Sequence, residues 1–138
     1  MNTELQINEL ISKMNLKEKI GQLCLTDNSV GSVSEELRMK VANGEIGAIL
    51  NDVNLETIRE LQRIAVEESR LGIPLLFGRD VIHGFKTVFP IPLGQAASWN
   101  PDLIRKSAEV SALEAASTGI NWTFAPMLDI GRKSSLFQ

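Results

Sequence analysis

The chain carries a single cysteine, Cys24, in 138 residues. No disulfide can form within it. Cys24 lies in the apolar run Leu23-Cys24-Leu25, which predicts a buried, inert thiol. Histidine is equally scarce: His83 is the only one. A lone imidazole with no cluster of partner ligands makes a poor metal site, because zinc sites draw on several such groups. No apolar run reaches the length of about 18 residues that a membrane span requires. There is no basic block, and 14 Lys and Arg against 17 Asp and Glu leave a net charge of −3. Nucleic acid is therefore not an expected partner, since phosphate binding needs clustered cations, and neither is a membrane. No Gly-x-Gly-x-x-Gly follows an apolar run and no Walker sequence is present, which counts against a nucleotide-binding open sheet. Met1-Asn2-Thr3-Glu4 lacks a basic and apolar leader, so the sequence as it stands predicts no export.

What the chain does have is apolar content of 43%, enough for the core of one domain. Amphipathic stretches alternate with apolar runs. A first helix is predicted over 4–13, with Leu5, Ile7, Leu10 and Ile11 as its apolar set. Asn15 is placed to cap a short helix over 16–20, and a first strand follows over 23–26, ending at Asp27. Ser34 caps a helix over 35–42 that Gly44 stops. A second strand over 46–50 ends in Asn51 and Asp52. Asn54 caps a long helix over 55–70, with Leu55, Ile58, Leu61, Ile64 and Ala65 on one face and Glu68 as the polar exception near its rim; Gly72 ends it. A third strand over 73–77 leads to a Pro- and Gly-rich loop over 82–98, and a loop that long is usually functional. Asn100-Pro101 starts a helix that runs to about Ser117, Gly119 stops it, and a fourth strand covers 121–128. The strands are apolar throughout rather than alternating, the mark of a parallel sheet covered on both faces. Repeated βα units fit a (β/α) barrel or an open doubly wound sheet. A full barrel takes roughly 250 residues, so this chain holds about half of one.

Polar groups gather where the apolar runs end. Leu75-Leu76-Phe77-Gly78 is followed by Arg79, Asp80, His83 and Gly84, and the run from Trp122 to Leu128 by Asp129, Gly131 and Arg132. The C-terminal ends of parallel strands are where such sheets bind ligands. Asp80 is read as a carboxylate that accepts hydrogen bonds from substrate hydroxyls; the alternative is a structural carboxylate that pairs Arg79 or caps the loop. His83 is a general base or a metal ligand in one reading and a residue holding the loop in the other, which its isolation favours. Asp129 and Arg132 form either a hydroxyl-binding arginine steadied by a carboxylate or a surface ion pair. Asp80 and Asp129 also qualify as a hydrolytic pair of the kind glycosidases hold roughly 5–9.5 Å apart, a test that any two strand-end carboxylates pass. Asp27 and Asp52 end strands too, with nothing to single them out. Trp99 and Trp122 are read as packing residues rather than sugar-stacking platforms, Lys86 as solvated, and Glu35-Glu36 and Glu67-Glu68 as helix-surface charge.

Taken in order, seven segments form a specific pattern: Met14 to Gln22, Gly47 to Leu50, Arg70 to Leu76, Asp80-Val81-Ile82-His83-Gly84, Phe89-Pro90-Ile91-Pro92, Ala96 to Pro101, and Trp122 to Asp129. From about Met14 to Arg132 the chain resembles glycoside hydrolase family 3, especially its periplasmic-type bacterial β-glucosidases. The resemblance implies a retaining, exo-acting glycosidase scaffold whose N-terminal domain is a (β/α)8-type barrel. The chain would then be an α/β half barrel, the first four βα units of a TIM-type barrel, forming one partial domain over 1–138. It also implies that the residues matching Asp80 and Arg132 hydrogen-bond the terminal sugar, with His83 and Asp129 in support. The family's nucleophile is an Asp on a later strand, its acid/base a Glu usually in a following domain, and its sugar-gripping Lys-His pair lies further on; none can be placed here. No cofactor or metal is implied, and parent enzymes are often periplasmic or secreted. After Arg132 the family continues with Asp or Glu and then Pro-Arg-Trp-Gly-Arg. Here Lys133 to Gln138 departs from that pattern, which predicts a divergent, foreign or truncated tail.

The expected role is therefore the first half of a β-glucosidase-like barrel that binds a terminal β-linked sugar weakly or not at all and is inactive alone. The rival is a self-associating half barrel with no enzymatic activity, since four parallel strands without closure leave two unpaired edges and an exposed apolar interior. Two copies pairing edge to edge would rebuild eight strands.

Overall fold

The computed structural model describes residues 2–127. Strands β1 (Leu25–Asp27), β2 (Ala48–Leu50), β3 (Leu76–Arg79) and β4 (Trp122–Thr123) form one all-parallel sheet in the order β1-β2-β3-β4. Helices α1 (Thr3–Lys13) and α2 (Leu16–Gly21) precede β1, α3 (Glu35–Ala42) joins β1 to β2, and α4 (Leu55–Arg63) joins β2 to β3. A short α5 (Pro92–Ala97) and the longer α6 (Pro101–Ser117) lie between β3 and β4. Each strand pairs with its predecessor, the order of successive βα units in a TIM-type barrel.

Local chemistry explains the helix ends. Asn15 and Glu18 form a reciprocal capping box at the start of α2. The Ser34 hydroxyl accepts the Leu37 N–H, Asn54 caps α4 and Asn100 caps α6, where Pro101 needs no hydrogen-bond partner. Gly44, at φ 69°, ends α3 in the left-handed conformation.

The core lies between the sheet and its helices. The ladder aligns Thr26, Ile49 and Phe77 in one row. Ile49 and Phe77 are buried with Leu37, Val41, Ile46, Ile58, Leu61, Ile64, Ala65 and Leu75. Each such aliphatic or aromatic side chain contributes roughly 1.5–3 kcal/mol when fully buried. The opposite face differs. Leu25, Leu76 and Trp122 on that side are 43%, 48% and 38% exposed. The Trp122 and Phe124 rings, 4.7 Å apart, close over Gly78, where an added Cβ would meet Phe124 Cε2 at 3.0 Å. Among the described residues the second face of the sheet is thus covered only in part, not fully as its apolar strands predicted.

Several local expectations are corrected. The strands begin later than the apolar runs because burial and ladder pairing are separate: the Leu75 N–H goes to the Gln62 side chain, and pairing starts at Leu76. The long helix predicted over 55–70 is α-helical to Arg63 and then widens into a π-turn, Ile64–Glu68, closed by the Ser69 N–H on the Ile64 carbonyl. The loop over 82–98 contains α5 and an antiparallel bridge between Gly84 and Val88. Cys24 is only half-buried, its Sγ 3.4 Å from the Ile20 carbonyl oxygen. Trp99 does not pack: it is 92% exposed between α5 and α6. Trp122 does pack, against Phe124. The apolar set of α1 is not buried; Leu5, Ile7 and Ile11 are exposed.

Candidate strand-end site

The strand ends carry a connected set of polar groups. Asn51 follows β2 and bridges its two neighbours. Its Nδ2 donates to Asp27 Oδ1 at 2.7 Å, and its Oδ1 accepts from Arg79 Nη1 at 3.0 Å. The Ser29 N–H and hydroxyl donate to Asp27 Oδ2 at 3.2 and 2.8 Å. The Asn51 amide first, then Ser29, hold the Asp27 carboxyl below the usual carboxylate range, with the Arg79 charge adding to the effect and burial opposing it. Deeper in, Asp52 is buried and takes the Asn28 amide at 2.6 Å and the Asn54 N–H at 2.9 Å.

These bonds sort the strand-end carboxylates. Both carboxylate oxygens of Asp27 and of Asp52 accept from protein donors. Asp80, one residue past β3, is exposed and takes part in no hydrogen bond or ion pair among the described residues. The alternative in which Asp80 pairs Arg79 is not what the geometry shows, since Arg79 reaches to Asn51.

His83 belongs to the next loop. Its Nδ1 lies 3.0 Å from the Phe89 carbonyl oxygen, and the Phe89 N–H donates to the His83 carbonyl at 2.7 Å. That is a loop-holding contact. Glu114 on α6 ties the same loop down, accepting the Thr87 hydroxyl at 2.6 Å and the Lys86 and Thr87 N–H groups at 2.8 Å each. A cleft of about 380 Å³ runs between this loop, α6 and the segment after β4. His83, Gln95, Arg105 and Pro126 line it and Asp80 does not. Asp129 and Arg132 lie outside the described residues. Among the described residues no three His, Cys, Asp or Glu side chains cluster as metal ligands would, and no helix is long and apolar enough to cross a membrane.

Reading the sequence missed Asn51, Arg79 and Glu114. Asn51 carried one usable signal: Asn at a strand end tolerates the left-handed conformation that a sharp exit requires. Nothing in the sequence linked Glu114 to Thr87, 27 residues away.

Comparison with known proteins agrees with this layout. The family profile described as "Glycosyl hydrolase family 3 N terminal domain" matches residues 15–136. The periplasmic beta-glucosidase of Salmonella typhimurium is 46% identical over 126 residues, which cover 91% of this chain and 16% of that protein. The lysosomal beta glucosidase of Dictyostelium discoideum is 30% identical, with 91% of this chain and 19% of that protein covered. The crystal structure of a beta-glucosidase from Listeria innocua in complex with glucose superposes with a TM-score of 0.79 at 38% identity, covering 96% of this chain and 20% of that one. The chain thus spans about a fifth or less of the length of these relatives. Strand order, the βα repeat and these matches together place the chain in glycosyl hydrolase family 3, within the family's N-terminal domain.

Proposed function

We propose that the strand ends of this chain supply part of the terminal-sugar subsite of a retaining, exo-acting β-glucosidase-like hydrolase. The observation that carries this reading is Asp80, a strand-end carboxylate left without a protein donor among the described residues, while both oxygens of Asp27 and of Asp52 are held by protein donors. An ionised carboxylate accepts several charge-assisted hydrogen bonds, which suits adjacent sugar hydroxyls. In this reading Arg132 donates to the same sugar, Asp129 steadies Arg132, and His83 keeps the loop after Asp80 in shape. The glucose held by the Listeria innocua enzyme is of the ligand class that the reading names.

The parent chemistry is a double displacement at the anomeric carbon, one carboxylate attacking and another supplying and then removing a proton. No residue here matches either carboxylate, so residues 1–138 bind without turning over. Two measurements test this. Glucose should raise the thermal stability of the chain, and Asp80→Ala should remove that protection. Ordinary turnover of an aryl β-glucoside by the pure 138-residue chain would overturn the second half of the reading.

The open face of the sheet supports a second reading, in which two copies associate through Leu25, Leu76, Trp122 and the unpaired strand edges. Light scattering across a concentration series decides it. A mass near twice 15.2 kDa supports association, and a strict monomer excludes it.

A further inference from the structure

Asn51 holds φ at 67°, a conformation that L residues rarely adopt and Asn tolerates best. Strain of this kind is kept where the surrounding structure demands it. Here the demand is visible. The Asn51 amide joins Asp27 on one side to Arg79 on the other, and its backbone N–H donates to the Gly78 carbonyl at 3.0 Å. Asp27 is itself fixed by two bonds from Ser29. The Arg79 guanidinium lies 6.0 Å from the centre of the Phe85 ring, within reach of a cation–π contact. Phe85 packs in turn against Val81, Ala115 and Ile120.

Arg79 and Phe85 thus flank Asp80 in the chain, with the guanidinium over the Phe85 ring. A purely local ion pair would direct Arg79 to Asp80 and neutralise it. The guanidinium reaches Asn51 instead, and Asp80 has no protein partner among the described residues.

We propose that the Asp27–Asn51–Arg79 bridge is a positioning device for the sugar subsite: Asn51 orients Arg79, and Arg79 fixes the segment that presents the Asp80 carboxylate to substrate hydroxyls. This rests on the reading of Asp80 as a sugar ligand. Neither Asn51 nor Arg79 needs to touch the sugar. Asn51 acts from a strand away, through the guanidinium that it holds.

The test uses the full 138-residue chain and glucose as the probe, with affinity read from an NMR titration and folding from the melting temperature. Asn51→Gly is the informative variant, because glycine keeps the left-handed backbone without strain and loses only the bridging amide. It should bind glucose about tenfold more weakly, the scale of one lost hydrogen bond, at an unchanged melting temperature. Arg79→Met should do the same and Arg79→Lys should recover part of the loss, a graded response that a purely structural role does not produce. Should Asn51→Gly melt early, the two Arg79 variants carry the comparison. Wild-type affinity in Asn51→Gly and Arg79→Met, with binding lost in Asp80→Asn, overturns the positioning inference and leaves the sugar reading standing. Wild-type affinity in Asp80→Asn, or no saturable glucose binding by the wild-type chain, overturns the sugar reading and the inference with it.

Discussion

Thr87 and Glu114 are joined by a 2.6 Å hydrogen bond from the threonine hydroxyl to the carboxylate, which pins the loop after β3 to the outer helix α6. The same carboxylate takes two backbone N–H groups of that loop, so one side chain satisfies three donors. The Thr87 bonds, led by the hydroxyl, hold the Glu114 carboxyl below its ordinary value against the effect of burial. Glu114→Gln removes the charge and one acceptor. Amide exchange at Lys86 and Thr87 should then quicken while exchange at Phe77 in β3 stays slow, because the loop opens locally and not with the core. Equal exchange in both proteins would mean that the loop holds its shape without Glu114.

The loop has a second weak point at Gly84. Its φ is 125°, and a Cβ placed there would lie 2.0 Å from the Thr87 carbonyl oxygen. Neither backbone can yield without breaking the Gly84–Val88 bridge and the His83–Phe89 contacts. Gly84→Ala should cost about 1–3 kcal/mol in urea unfolding, the range for a strained backbone. If the loop supports the sugar subsite, the variant also loses glucose protection. Unchanged stability would show that the loop accommodates a side chain by moving as a whole.

Acid should destabilise the fold, and Glu18 is a traceable part of the reason. Glu18 is buried and forms two bonds with the Arg70 guanidinium, at 2.6 and 2.9 Å, while accepting the Asn15 N–H at 2.8 Å. Arg70 first, then Asn15, lower its pKa from the ordinary 4.5, with burial opposing. A carboxylate whose folded value is depressed adds stability above the unfolded value and loses it as pH falls through the folded one. The contribution of Glu18 is therefore complete above about pH 5 and fades below pH 4.5. Urea midpoints measured from pH 7 to pH 3 should fall across that window, and Glu18→Gln should flatten the decline while lowering the plateau. An undiminished decline in Glu18→Gln would assign the acid sensitivity to the other lowered carboxylates, such as Asp27 and Glu114.

The sequence reports local chemistry well and distant chemistry poorly. Ser34, Asn54 and Asn100-Pro101 announce their helices because a cap acts on residues two or three positions away. The four strands are legible as apolar runs, yet their ends are not, because a residue such as Leu75 is buried like a strand residue while its N–H goes to Gln62. Asp80 stands out because glycine and charge follow an apolar run. Asn51 and Arg79 do not, since their pairing depends on strand register across the sheet. The exposure of Trp99 was also hidden: a tryptophan beside a helix cap reads as packing, and only the geometry of the α5–α6 turn shows it facing outward.

The two faces of the sheet should respond to mutation in opposite ways. Ile49 is fully buried against α3, α4 and Phe77, and Ile49→Ala leaves a cavity that the packed helices cannot fill. It should lower unfolding stability by about 2–5 kcal/mol at any protein concentration. Leu76 neighbours Ala48 in the ladder but points to the open face, where it is about half exposed. In an isolated copy Leu76→Ala removes little buried surface and should cost under about 1 kcal/mol. If two copies meet through that face, the same change weakens the dimer, and the melting temperature of the wild type, unlike that of the variant, rises with concentration. Melting curves of the wild type, Ile49→Ala and Leu76→Ala at two well-separated concentrations distinguish these cases. A wild-type melting temperature independent of concentration, with Leu76→Ala as stable as wild type, would mean that the open face takes no second copy and awaits a different cover.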